Sequence, residues 1–114
     1  MLVGRLPNVD VRVVADDLIW ASRLTAAVER AGATPVREGG EVVIVDLGGR
    51  AYDGIAAVAA AAVGGNTVIA VTQHDDAATR RRALAAGARR VFSYNKMFSD
   101  GPQVVADLVA GRFS

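Results

Sequence analysis

The 114-residue chain has no cysteine. That excludes a disulfide framework, a thiolate zinc site and a cysteine nucleophile. Its single histidine, His74, has no partner ligands at metal-binding spacing and reads as a loop residue. Aromatic residues make up 5% of the chain, so there is no basic stretch interleaved with stacking rings, and nucleic acid is not an expected partner. Neither sign of charge dominates: 13 basic and 12 acidic residues leave a formal net charge of +1, with no general attraction to polyanions or anionic membranes. No apolar run approaches the roughly 20 residues of a membrane span. The opening "MLVGRLPNVD" is too short and too interrupted for a secretory signal, which gives a cytoplasmic location as the expectation. The glycine pairs lack the spacing of a dinucleotide fingerprint, and "VREGGEVV" lacks the lysine of a P-loop.

What the chain does have is alanine and valine, within a hydrophobic content of 52%. At this length it reads as one domain, residues 1–114, with enough apolar surface for a core that needs no staples. "VDVRVVA" from Val9 reads as a strand. "LIWASRLTAAVERAG" reads as a helix, with Trp20, Leu24 and Val28 one turn apart and Gly32 as its stop. "ATPVRE" fits a short strand that Pro35 confines to a sheet edge. "EVVIVD" is a β-branched run of the kind buried on both faces. "YDGIAAVAAAAVGG" follows as a helix, "NTVIAVT" as a strand, and "DDAATRRRALAAG" as a helix with Asp75 and Asp76 at its start. "RRVFS" is a last strand and "SDGPQVVADLVAG" a last helix with Pro102 in its first turn. Strands alternating with helices predict an α/β fold, a mainly parallel sheet of four to five strands with helices on both faces. One unit is missing. Between "ATPVRE" and "EVVIVD" there is room for a turn but not for a crossover helix, so the second strand is either vestigial or paired locally through the Gly39-Gly40 turn.

The strand ends gather polar residues. The first ends in Asp16-Asp17, the third in Asp46, the fourth in Thr72, and the last runs into Tyr94, Asn95 and Lys96. In an open parallel sheet this is the edge where ligands and chemistry sit. Three carboxylates converging there repel one another unless a cation lies among them, and Mg²⁺ suits such oxygen ligands. Each residue also has a plainer reading. Asp46 is the first polar residue after a buried strand, Asp16-Asp17 an N-cap, Thr72 a loop hydroxyl capping the next helix, and Lys96 a solvated lysine.

At these residues the chain resembles the receiver domains of two-component response regulators, a flavodoxin-like fold. "VVADDL" resembles the strand that delivers their acidic pair. "VVIVDLGGRAYDG" resembles their phospho-acceptor strand and loop, with Asp53-Gly54 where that family has Asp-Gly. "VIAVTQHDDAATRRRALAAGA" resembles the stretch from their switch threonine to the Ala-Gly-Ala that ends their fourth helix. The resemblance implies Asp46 as phospho-acceptor and Asp16, Asp17 and Asp46 as Mg²⁺ carboxylates. It also implies the Gly48 carbonyl on the metal, Thr72 on the phosphoryl group and Lys96 as the basic residue of the site. The implied partner is a histidine kinase or other signalling protein. Any enzymatic activity is at most self-phosphorylation from a phosphodonor and autodephosphorylation. With no output domain in the chain, such a module is expected to act on a separate partner.

The departures from the family pattern are specific. The methionine-proline pair expected after the acceptor is replaced by "GGRAY". The family's second helix is absent. Counting from Ala88, the family's lysine position holds Tyr94, with Lys96 two residues later and followed by Met97 instead of proline. These departures keep open an alternative: a pseudo-receiver, an interaction or dimerisation module without phosphotransfer. A small-molecule binder at the same crevice has no motif behind it. Arg80, Arg81 and Arg82 point about 100° apart on a helix and read as a solvated face. The helix from Ile55 to Val63 carries no charge, which implies either deep burial or, where the second helix is missing, cover by a second subunit in a homodimer.

Overall fold

The computed structural model describes residues 9–111; residues 1–8, most of the segment read above for a targeting signal, lie outside them. The elements run β1 (Asp10–Val14), α1 (Leu18–Arg30), β2 (Thr34–Val36), β3 (Val42–Asp46), α2 (Gly54–Val63), β4 (Thr67–Thr72), α3 (Ala77–Ala86), β5 (Arg90–Ser93) and α4 (Tyr94–Val109). The five strands form one all-parallel sheet in the order β2-β1-β3-β4-β5. The α/β, flavodoxin-like reading holds. None of the described helices is long and apolar enough to cross a membrane.

Alternation along each strand divides the core into two layers. Val11, Val42, Ile44, Ile69 and Val71 meet α1 and α4 through Leu24, Val28, Met97, Val105 and Leu108. Val43, Val45, Val68 and Ala70 meet α2 and α3 through Val58, Ala61 and Ala83. β3 sits at the sheet centre with all five residues buried, which explains its unbroken apolar run.

No helix joins β2 to β3. β2 keeps three residues, pairs parallel with β1 at the sheet edge, and reaches only as far as Arg12. By Glu41 the chain is bonded to the other side of β1, its N–H donating to the Asp10 carbonyl at 2.9 Å. Four residues therefore cross β1, in contact with it. Gly39 accepts from the Arg12 guanidinium at 2.8 Å, and a Cβ on Gly40 would lie 3.2 Å from the Arg12 backbone nitrogen. Gly40 also has φ +96°, so glycine answers both the left-handed turn and the close approach. The Asn66 side chain donates to the Gly40 carbonyl and pins the crossing.

The last helix begins earlier than the sequence pattern indicates. Ser93 caps it, accepting from the Lys96 N–H at 3.0 Å, and Tyr94 is already helical. A break at Asp100, with φ −127°, separates this first stretch from the one that starts beside Pro102. The expected helix at "SDGPQVVADLVAG" is thus the second part of a kinked element. Proline at the start of the second part removes no bond that the break had not already removed.

Candidate functional site

β1 and β3 are neighbours whose chain connections leave in opposite directions, so their carboxyl ends form the crevice where such sheets place a site. Asp46 closes β3 there and is 2% exposed. A carboxylate so buried needs donors. Its Oδ1 accepts the Gly48 N–H at 2.9 Å and the Tyr94 hydroxyl. Both partners are uncharged.

Tyr94 reaches Asp46 because the chain leaves β5 straight into helix, which turns the first helical side chain back over the sheet end. The Trp20 ring packs on it with centroids 4.8 Å apart. Burial, followed by the hydrogen bond and charge of Asp46, pushes the Tyr94 hydroxyl above its ordinary 10.0. Lys96 is two residues further along the same helix and forms an ion pair with Asp100 at 2.9 Å, both side chains about half exposed. The position next to Asp46 is filled by Tyr94 in place of a lysine.

A second tyrosine, which the sequence reading did not single out, completes the enclosure. The Tyr52 hydroxyl lies 2.6 Å from the Asp46 carbonyl and 3.0 Å from the Val14 carbonyl, joining the ends of β3 and β1. Its ring folds over Gly49, where any Cβ would overlap the ring, so the glycine of "GGRAY" serves the tyrosine. Burial raises the Tyr52 hydroxyl above 10.0, with the charges of Asp46 and Asp16 adding to it. The available signal was a glycine pair three residues ahead of an aromatic in a loop otherwise poor in rings.

The acidic pair is divided between two tasks. Asp17 caps α1, its Oδ1 accepting the N–H groups of Ile19 at 2.9 Å and Trp20 at 3.1 Å. Asp16 Oδ2 accepts the N–H groups of Ala51 at 2.6 Å and Arg50 at 2.8 Å. Those two bonds, Ala51 foremost, hold the Asp16 carboxyl below its ordinary 3.8. Asp16 therefore ties the β3–α2 loop to the end of β1. A surface crevice is lined by Asp16, Asp17, Gly48, Arg50 and Ala51. Among the described residues no three His, Cys, Asp or Glu side chains come together to hold a metal. Of the Mg²⁺ set that the receiver resemblance implies, Asp16, Asp17 and Gly48 line that crevice, and each of the three carboxylates meets its backbone or phenolic donors through one oxygen, Oδ2 of Asp16 and Oδ1 of Asp17 and Asp46. Thr72 is 5% exposed at the end of β4, in register with Ser93. The cap of α3 is Asp76, which accepts from Thr79 at 3.0 Å, so Thr72 does not cap that helix. His74 lies in the loop beyond, beside Asp75, Tyr94 and Asn95. Arg80 turns back to the Val91 carbonyl at 2.7 Å, while Arg81 and Arg82 are exposed.

No protein-family model matches the chain, and no curated protein is similar to it in sequence. Its structure is similar to solved receiver domains. The signal receiver domain of the putative response regulator NarL from Mycobacterium tuberculosis is 20% identical with a TM-score of 0.75, over 93% of this chain and 99% of that one. The BeF3-activated DrrB receiver domain is 18% identical with a TM-score of 0.75, over 94% of this chain and 97% of that one. A response regulator from Burkholderia pseudomallei with a phosphorylated aspartic acid, calcium ion and citrate is 19% identical with a TM-score of 0.68, over 92% of this chain and 72% of that one. The receiver resemblance and the fold class are borne out at the level of fold.

Proposed function

We propose that this chain is a receiver-fold signalling module that works through protein contacts, with Asp46 held by a tyrosine instead of serving as a phospho-acceptor. The observation supporting this most directly is the Tyr94 hydroxyl on the Asp46 carboxylate. Phosphoryl transfer to a carboxylate needs cations to take up charge on the transferring oxygens. A phenol offers a hydrogen bond but no full charge. Environments that push both tyrosines upward keep them neutral. The enclosure of Tyr94, Tyr52 and the Asp16-anchored loop then acts as a structural plug that fixes the sheet end in one arrangement.

A module of this kind acts on a separate signalling protein, and a second copy of the chain is the partner suited to α2. That helix has no charged residue; Ala56, Ala60 and Val63 face solvent, Val63 at 90% exposure. Covering such a face removes apolar surface from water.

The competing reading keeps Asp46 as the acceptor, and the Burkholderia neighbour with its phosphorylated aspartic acid favours it. Intact-mass analysis after incubation with acetyl phosphate and Mg²⁺ separates the two. The expected result is no adduct on the wild-type chain under conditions that label a control receiver. A single phosphoryl adduct, absent from Asp46→Asn, would overturn the proposal and restore Asp46 as the acceptor.

A further inference from the structure

β2 ends early, and its end leaves a gap beside α1. Val36, its last residue, lies level with Arg12, while β1 runs on to Val14. Past Arg12, β1 therefore has no neighbouring strand on that side. From Arg37 the chain leaves to cross β1, reaching the Asp10 carbonyl by Glu41. A groove of about 440 Å³ occupies the gap. It is lined by Val13 of β1, Thr25 of α1, and Pro35, Val36 and Arg37 at the end of β2. Val13, Thr25, Pro35 and Val36 are half-buried, and Arg37 is exposed at the rim.

Composition and charge narrow the occupant. Val13, Pro35 and Val36 give an apolar lining, and the polar groups are the Thr25 hydroxyl and the Arg37 guanidinium. No carboxylate lines the groove; Glu38, the next residue, is exposed and outside it. Among the described residues the Arg37 side chain has no hydrogen-bond acceptor and no ion-pair partner. A cation would meet only repulsion there. A carboxylate would meet an unpaired guanidinium whose fork matches its two oxygens. A peptide strand added to the sheet is disfavoured, because Pro35, the middle residue of the edge strand, has no N–H to donate. The volume falls within the roughly 300–1,000 Å³ of small-molecule sites, which are mostly apolar with a few placed polar groups.

We propose that this groove binds a free amphipathic monocarboxylate. Its carboxylate pairs with Arg37, and its apolar body lies on Val13, Pro35 and Val36 with the Thr25 hydroxyl beside it. Bound there, the acid links α1 to the start of the crossing over β1. This holds whatever Asp46 does, because the groove shares no residue with the enclosure of Tyr52, Tyr94 and the Asp16-anchored loop.

The test is an amide-resolved NMR titration of the full chain with octanoate, octanol and octylamine. The three share one apolar body and differ in the head group, and octanoate is kept below its micelle concentration. Saturable shifts should centre on the amides of Val13, Thr25, Val36 and Arg37. Octanoate should bind about threefold or more tighter than octanol, and octylamine most weakly. Arg37→Gln should remove the advantage of octanoate over octanol without abolishing binding of either. Thr25→Phe, which fills the groove and leaves the guanidinium in place, should weaken octanoate and octanol together. The dispersion of the same spectra checks that both variants are folded, and the head-group comparison on the wild-type chain stands without them. Absence of saturable shifts, shifts centred elsewhere, or octanol or octylamine binding as tightly as octanoate would each overturn the proposal. So would an octanoate advantage that survives in Arg37→Gln, or undiminished binding to folded Thr25→Phe.

Discussion

A carboxylate with 2% exposure at the end of a buried strand has few ways to stay solvated, and Asp46 relies on one backbone N–H and one phenol. Removing the phenol while keeping its ring isolates the second of these. Tyr94→Phe should cost about 1–3 kcal/mol, the range for losing a hydrogen bond to a charged group, measured as a lower urea midpoint at unchanged slope. The same two tyrosines set the alkaline limit. Their folded values lie above the ordinary 10.0, so their contribution to stability is complete below that pH and is lost as pH rises past it. Since the chain has only two tyrosines, a near-ultraviolet tyrosinate titration should show no ionisation in the normal range until unfolding begins, and Tyr94→Phe should make the alkaline limb shallower. Asp16 has the opposite sign. Its lowered value gives stability that is present above 3.8 and is lost as pH falls below it, so Asp16→Asn should flatten the acid limb of the pH–stability curve. Asp46, Asp16 and Asp17 were legible in the sequence because a carboxylate after an apolar run stands out. The position of Tyr94 was legible by counting from Ala88. Its bond to Asp46 was not, because the two residues are separated by 48 positions and the bond depends on where the last helix starts. Tyr52 was hidden for the same reason: its hydroxyl reaches Val14 across 38 positions.

At the scale of elements, strand and helix identities followed from periodicity, while two junctions did not. The "ATPVRE" segment reads as an edge strand from Pro35 alone, but nothing in local propensity shows that the next four residues cross a neighbouring strand. That crossing depends on contact with Arg12, and Gly39 and Gly40 bear it unequally. Both have positive φ, yet a Cβ on Gly39 meets nothing within 4 Å, whereas one on Gly40 meets the Arg12 nitrogen and the Val42 carbonyl at 3.2 Å. Gly39→Ala should therefore cost about 1 kcal/mol, the penalty of a left-handed residue, and Gly40→Ala about twice that or more. Equal urea midpoints for the two variants would mean that the linker does not press on β1. The other junction is β5 to α4. A loop after "RRVFS" would leave Lys96 free to approach the sheet end, but Ser93 caps a helix at once and puts Lys96 one turn above its partner Asp100. Polar residues that read as a loop were a helix start with an unrecognised cap.

For the whole molecule, the missing helix has its largest effect on surface. α2 buries only Gly54, Val58 and Ala61, so neither full burial nor a polar outer face accounts for its composition. A helix that is uncharged on its solvent side exposes apolar surface to water, and here two of the three solvent-facing side chains, Ala56 and Ala60, are single methyls that allow another helix to approach closely. A two-fold pairing of α2 with its copy would place Val63 and Ala60 at the seam. Light scattering at tens of micromolar should then give a dimer, and Val63→Lys, which puts a charge at a position already 90% exposed, should give a folded monomer with an unchanged circular dichroism spectrum. Because that residue contributes almost nothing to the protomer's own core, loss of the dimer without loss of fold is the outcome that separates an interface from an internal packing defect. A wild-type monomer at this concentration would remove the second copy as partner.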